Sequence, residues 1–225
     1  MDKKLYMVSL GPGDTELITI KALKALQNSD AICVPPKSKN NSFDKSLTHK
    51  IVKELMLEHG FEKKIIPIYT PMHFKKEDWQ YQVDLLTDAL KTNDTISFVT
   101  LGDSAVYSTV YYILDIIKVQ NHKLYDSCEV IAGITSFSQS SAKVKKPLCV
   151  GDSAFKIVPL LGKEVPQTTV YMRPKIGMDT SEIVENGQIY TFENLNYDGE
   201  TITNKKIAKT KKYMTLFIDF FQKDT

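Results

Sequence analysis

Up to about residue 118 the chain alternates four times between a short apolar run and a segment whose apolar residues recur at helical spacing. The runs are Leu5–Leu10, "AICV" (31–34), "KIIPIY" (64–69) and "TISFVTL" (95–101). The stripes are Leu17, Ile20, Leu23 and Leu26; Leu47, Ile51 and Leu55; Trp79, Val83, Leu86 and Leu90; and Val110, Ile113, Leu114 and Ile117. Strands read as unbroken apolar runs when both faces of their sheet are covered. Consecutive parallel strands also need a crossover, usually a helix. The alternation therefore predicts an α/β fold with a mostly parallel first sheet. Local signals agree: Asp14 or Thr15 is placed to cap the first helix, and Glu16 suits its positive end. Pro35-Pro36 stops the second strand, and Pro67 suits an edge strand or a bulge.

The segment "VQNHKLYDS" (119–127) is polar and rich in turn formers, and it reads as a linker between domains 1–118 and 128–225. The second half is richer in strands. "CEVIAG" leads into a helix at Thr135–Val144, and "KIVPL", "TTVYM", "QIYTF" and "YMTLFIDF" are further strand candidates. Asp198-Gly199 is a hairpin signal. This half is expected to carry a mixed sheet, giving two α/β domains in all.

Composition removes several classes of function. Hydrophobic residues make up 42% and charged residues 25% of the chain, as in ordinary globular proteins. A formal net charge of +2 provides no bulk attraction to nucleic acid or an anionic membrane. The apolar run in "MDKKLYMVSL" is too short for a signal peptide, and no run approaches the roughly 18 apolar residues of a membrane span. The expected location is the cytoplasm. Cys33, Cys128 and Cys149 are far apart and odd in number, which fits buried free thiols better than a disulfide framework. His49, His59, His73 and His122 are scattered, so no metal site of sequence-local ligands is expected.

Three junctions share one grammar. Gly11-Pro12-Gly13-Asp14 follows the first run, Gly102-Asp103 the fourth, and Gly133 with Thr135-Ser136 the "CEVIA" run. Each is a strand, a glycine, small polar residues and a helix. Glycine permits the backbone angles of a sharp turn, and helix starts expose N–H donors. Each junction alone reads first as a tight turn with a cap, and otherwise as part of a ligand cradle. Strand ends of open α/β sheets line a binding crevice, so three such ends suggest one site. The first loop is neither a dinucleotide fingerprint, since position 16 is Glu, nor a phosphate loop, since no Gly-Lys-Ser/Thr follows.

In this order and spacing, GPGD followed by "ELITIKALKAL", then "LGDSAVYST", then "AGITSFS", resemble the tetrapyrrole (corrin/porphyrin) methylases. The stretches "VPPKSKNNSFDKSLTHKIV", "PIYTPMHFKKED" and "TLGDSAVYSTVYYIL" are similar to the precorrin-2 and cobalt-factor II C-20 methyltransferases among them. The resemblance implies two α/β domains with a cofactor cleft between them, a homodimer, and methyl transfer from S-adenosylmethionine to a ring carbon in cobalamin biosynthesis. By motif position, Leu101, Gly102, Asp103 and Val106 would meet the methionine part and ribose of the cofactor, with Thr135, Ser136 and Met172 also lining it. Pro12 would border the tetrapyrrole.

A sulfonium methyl is already a strong electrophile, so the protein has chiefly to align the partners and exclude water. Replacing a meso hydrogen also requires a proton to leave; Tyr107, Glu193 or His73 could assist, Tyr107 being the catalytic candidate. Lys37, Lys39, His73, Lys75 and Arg173 are candidate clamps for the ring's carboxylates, or solvated surface groups. "KKIAKTKK" (205–212) reads as a solvated loop or edge-strand guard, not a nucleic-acid patch. Tyr111 and Tyr112 remain open between a cleft and a dimer contact. The competing readings are a sibling methylase acting at another ring carbon or on a non-tetrapyrrole substrate, and a non-catalytic binding module.

Overall fold

The computed structural model describes residues 3–36, 42–44, 46–71, 75–151, 153–157, 167–172, 174–194, 198–213 and 215–220. The chain forms two compact units, Met1–Phe155 and Lys156–Thr225. In the first, strands β1 (Lys4–Ser9), β2 (Ala31–Val34), β3 (Lys64–Pro67), β4 (Thr95–Thr100) and β5 (Cys128–Ile131) form a single sheet in the order β3-β2-β4-β1-β5. Every pairing in it is parallel. β3 is an edge strand, so Pro67 sits where a missing N–H is tolerated.

The helices are α1 (Ile20–Asn28), α2 (Leu47–Glu58), α3 (Lys76–Thr92), α4 (Val110–Gln120), α5 (His122–Ser127) and α6 (Ser136–Val144). Alternation along each strand sorts them into two layers. Leu5, Met7, Cys33 and Phe98 face α3, α4 and α5 through Val83, Leu86, Ile113, Ile117 and Leu124. Val8, Leu10, Ile32 and Val99 face α1 and α2 through Ala22, Leu26, Ile51 and Leu55. Connections running one way along the sheet cover one face and those returning cover the other, as right-handed crossovers require.

Three local expectations need correction. The stripe from Leu17 to Leu26 is not one helix: Thr15–Leu17 is a single 3-10 turn capped by Asp14, and α1 restarts with Thr19 accepting from the Ala22 amide at 3.1 Å. Ile20 is left 73% exposed. The 119–127 segment is not a linker either. Asn121 closes α4 through its amide to Ile117 and opens α5 by accepting from Leu124 N at 3.0 Å, and Leu124 is buried. The polar residues that suggest a loop are caps, and β5 pairs with β1, so the units divide between Phe155 and Lys156. Lastly, the cysteines do not share one environment. Cys33 is buried, its thiol pushed up to about 12 by burial; Cys128 is half-buried, its thiol pushed up to about 11, also by burial; Cys149 is exposed.

The second unit carries β6 (Thr169–Tyr171), β7 (Gln188–Glu193), β8 (Thr201–Thr203) and β9 (Thr215–Phe220) in the order β6-β9-β7-β8. This sheet is antiparallel, not mixed. Asp198-Gly199 lies in the β7–β8 hairpin, and no crossover helix is present among the described residues of this unit to support a parallel pair. Buried Phe217 and Ile189 pack with Ile183. Buried Asp219 secures the entry to β7 by accepting from Asn186 N at 2.7 Å and Gly187 N at 3.0 Å. No strand forms over the described part of "KIVPL", Lys156-Ile157; the rest lies outside the described residues.

Candidate functional site

Because the first sheet is parallel, β1, β4 and β5 end on one edge, with β1 between the other two. The chain leaves β1 through α1 over one face and leaves β4 through α4 over the other. The boundary between β1 and β4 is thus a topological switch point, where open α/β sheets leave a crevice.

The turns after β1 and β4 bind each other directly. Gly11 N donates to Gly102 O at 3.1 Å, and Gly102 N donates back to Gly11 O at 2.7 Å. Both glycines have positive φ, +75° and +73°, which ordinary side chains adopt only with strain. The third turn closes onto this pair. A Cβ at Gly133 would stand 2.6 Å from Gly102 O and 2.7 Å from Ser9 Cβ, so only hydrogen fits there. Three glycines that look alike in sequence therefore do different work: two supply a backbone angle and one supplies space.

Around this junction the candidate residues divide by role. Asp103 does not cap α4; its Oδ1 accepts from Ala105 N at 3.0 Å and its carbonyl from Val106 N at 3.1 Å, closing a local turn. Val110 N at the start of α4 donates instead to Ser108 Oγ at 3.3 Å. Leu101 is exposed, and Val106 and Pro12 are half-buried. Tyr107 holds a positive φ of 51° and is 68% exposed. A tyrosine in that conformation costs about 1 kcal/mol, retained here by the loop around it. Thr135 caps α6, accepting from Ser138 N at 3.3 Å, and Ser136 is exposed on its first turn.

Met172 follows β6 in the second unit and is exposed. Lys75 is exposed just before α3. Lys37, Lys39, His73 and Arg173 lie outside the described residues. Glu193 is not the solvated group its sequence suggests: its side chain is 13% exposed, Oε2 accepts from Thr201 Oγ1 at 2.9 Å, and Oε1 is buried with no hydrogen-bond partner among the described residues. Tyr112 stacks on Trp79 with centroids 3.9 Å apart, a packing contact between α3 and α4.

One residue of the site was not assigned from sequence, and a second, Tyr111, was left open there. Ser9, the last residue of β1, is fully buried and accepts from Ser104 N at 2.9 Å. Its one sequence signal is a hydroxyl in an otherwise apolar run. Tyr111 faces the loop, hydrogen-bonded to Ser104; burial and the neighbouring Asp103 charge both raise its phenol above the usual range. Its signal is its place in the first turn of α4, whose opposite side is core.

The resulting edge offers hydroxyls and the carboxylates of Asp14 and Asp103. This set suits a polar, uncharged or zwitterionic small molecule better than a polyanion. Among the described residues no group of His, Cys, Asp and Glu is placed to hold a metal ion. An open groove of about 540 Å3 lies at the other end of the strands, lined by Lys3, Leu90, Lys91, Lys123 and Leu124 among others. There Lys3 pairs with Asp94 at 2.9 Å and Lys91 with Asp88 at 2.6 Å.

The sequence model of the tetrapyrrole (corrin/porphyrin) methylases matches residues 4–186, spanning all three turns. The chain belongs to that family. Among relatives of this methylase, a probable cobalt-precorrin-2 C(20)-methyltransferase of Methanocaldococcus jannaschii is 29% identical over 194 residues, 84% of this chain and 80% of the relative. The cobalt-precorrin-2 C(20)-methyltransferase of Salmonella typhimurium is 28% identical over 162 residues, 70% of this chain and 64% of the relative. A crystal structure described as a putative cobalamin synthesis related protein from Corynebacterium diphtheriae shares the methylase's fold, with a TM-score of 0.55 over 97% of this chain and 98% of that one at 14% identity.

Proposed function

We propose that this methylase transfers a methyl group from S-adenosylmethionine to C-20 of precorrin-2 or of its cobalt complex, in cobalamin biosynthesis. The observation that carries the reading is the convergence of the Gly11, Gly102 and Gly133 turns at the switch point of the parallel sheet. The C(20)-methyltransferases among its relatives support the choice of ring carbon. Bound there, S-adenosylmethionine supplies an electrophilic methyl group.

The residues present fit that donor. Absence of a side chain at Gly133 lets the third turn pack onto the other two, which brings the three loops together. Leu101, Gly102, Asp103 and Val106 hold the methionine part and ribose, with the Asp103 carboxylate accepting from hydroxyl or ammonium groups. Thr135, Ser136 and Met172 complete the cofactor contacts, and Pro12 borders the tetrapyrrole. Lys37, His73 and Arg173 take the ring's acidic side chains. Tyr107, exposed beside the loop, assists the departing meso proton on its way to solvent. Alignment and exclusion of water supply most of the acceleration, since neither a covalent nucleophile nor a bound metal is needed for attack on a sulfonium methyl. The family resemblance further supports a homodimer, which sedimentation velocity tests.

Calorimetry should show micromolar binding of S-adenosylmethionine and S-adenosylhomocysteine. Incubation with precorrin-2 and, separately, with its cobalt complex should add one methyl group at C-20, read by mass and NMR. Absence of binding removes the donor reading. Methylation at another ring carbon makes the chain a sibling enzyme.

A further inference from the structure

The geometry points to Ser9 as a positioning residue for the Gly102–Ser104 loop, setting affinity for the methyl donor without touching it. This rests on the reading of that loop as the donor site. Asp103 is bracketed by two anchors. On its N-terminal side Gly102 exchanges both backbone bonds with Gly11. On its C-terminal side Ser104, 2% exposed, donates its amide to the fully buried hydroxyl of Ser9 at 2.9 Å. β1 thus grips the β4 loop on both sides of its carboxylate.

The residue at position 9 is narrowly constrained. It must present an acceptor, because an unpaired buried N–H at Ser104 is costly. It must also be small, because its Cβ already lies 2.7 Å from where a side chain on Gly133 would begin. Serine meets both demands; alanine meets only the second. Loss of the hydroxyl frees the loop to sample orientations in which Asp103 is misdirected. The donor must then order the loop on binding, which weakens affinity.

The test compares wild type, Ser9→Ala and Ser9→Cys in the full chain by two readouts. In calorimetry with S-adenosylhomocysteine, Ser9→Ala should raise Kd about tenfold, and Ser9→Cys, whose sulfur is a weak acceptor, should fall between it and wild type. In turnover, KM for the donor should rise more than kcat falls. Native-state amide exchange should show Ser104 losing protection in Ser9→Ala while Phe98 and Val99 within β4 keep theirs. The inference is overturned if the alanine variant binds as tightly as wild type, or if Ser104 stays equally protected. Wild-type protein that binds no S-adenosylhomocysteine sinks the donor reading itself, and the assignment of Ser9 with it. If Ser9→Ala does not fold, Ser9→Cys carries the same comparison.

Discussion

The two ends of the parallel sheet are built from different materials. At the C-terminal ends of the strands, three turns meet through backbone bonds, positive-φ glycines and one serine hydroxyl, with no ion pair among the groups described there. At the N-terminal ends, charged side chains add to backbone bonds such as Lys4 N to Asp94 O and Asp30 N to Thr95 O, both 2.8 Å. Glu129 on β5 accepts from Lys21 at 2.7 Å and Lys4 at 3.2 Å, and Asp30 accepts from the amides of Asp94 and Thr95 at 2.9 and 2.8 Å. Solvated ion pairs add little and tolerate change, whereas close backbone packing tolerates almost none. One end can therefore drift in sequence while the other holds a shape for a ligand.

The most severe test of this contrast is Gly133→Ala. Its methyl group would meet Gly102 O and Ser9 Cβ inside 3 Å, so backbone must move. A loss of about 3 kcal/mol in urea unfolding is expected, together with loss of measurable S-adenosylhomocysteine binding. A variant as stable as wild type would show that the three turns do not pack as described.

Gly102→Ala sharpens the distinction between angle and space. Nothing lies within 4 Å of a Cβ there, so the cost is the strain of φ +73°, about 1 kcal/mol. Equal losses at Gly102 and Gly133 would erase the difference between the two roles.

At the other end, Glu129→Gln should cost about 0.5 kcal/mol at neutral pH and leave binding of S-adenosylhomocysteine unchanged. The effect carries a pH signature. Hydrogen bonds from Lys21 first, then Lys4, hold the Glu129 carboxyl below its ordinary value of 4.5. A carboxyl depressed in the native state stabilises above its unfolded value and loses that contribution as pH falls through the native one. The stability gap between wild type and variant should therefore close below pH 4.5. Lys91→Ala, at the exposed Asp88 pair, should shift neither midpoint nor binding.

Much of the fold was legible because buried parallel strands write themselves as unbroken apolar runs. β2 matches "AICV" residue for residue, and α6 begins where Thr135 can cap it. Features that share a signature with something else were not legible. Asn121 looks like a loop former but is a cap on both sides. Thr19 interrupts an apolar stripe whose period continues across it. Glu193 looks solvated until the β7–β8 hairpin brings Thr201 beside it. Ser9 carries no mark at all of its partner, which lies 95 residues away.

By itself the amino-acid sequence determined the strand–helix alternation, the parallel sheet it demands, and three glycine junctions, because propensity, capping and turn chemistry act over a few residues. The order β3-β2-β4-β1-β5 was decided only in the tertiary structure. Strand neighbours follow from which face each crossover covers and how the helices pack there, and those terms sum over the whole unit. That order seats β1 between β4 and β5, and so turns three separate loops into one junction.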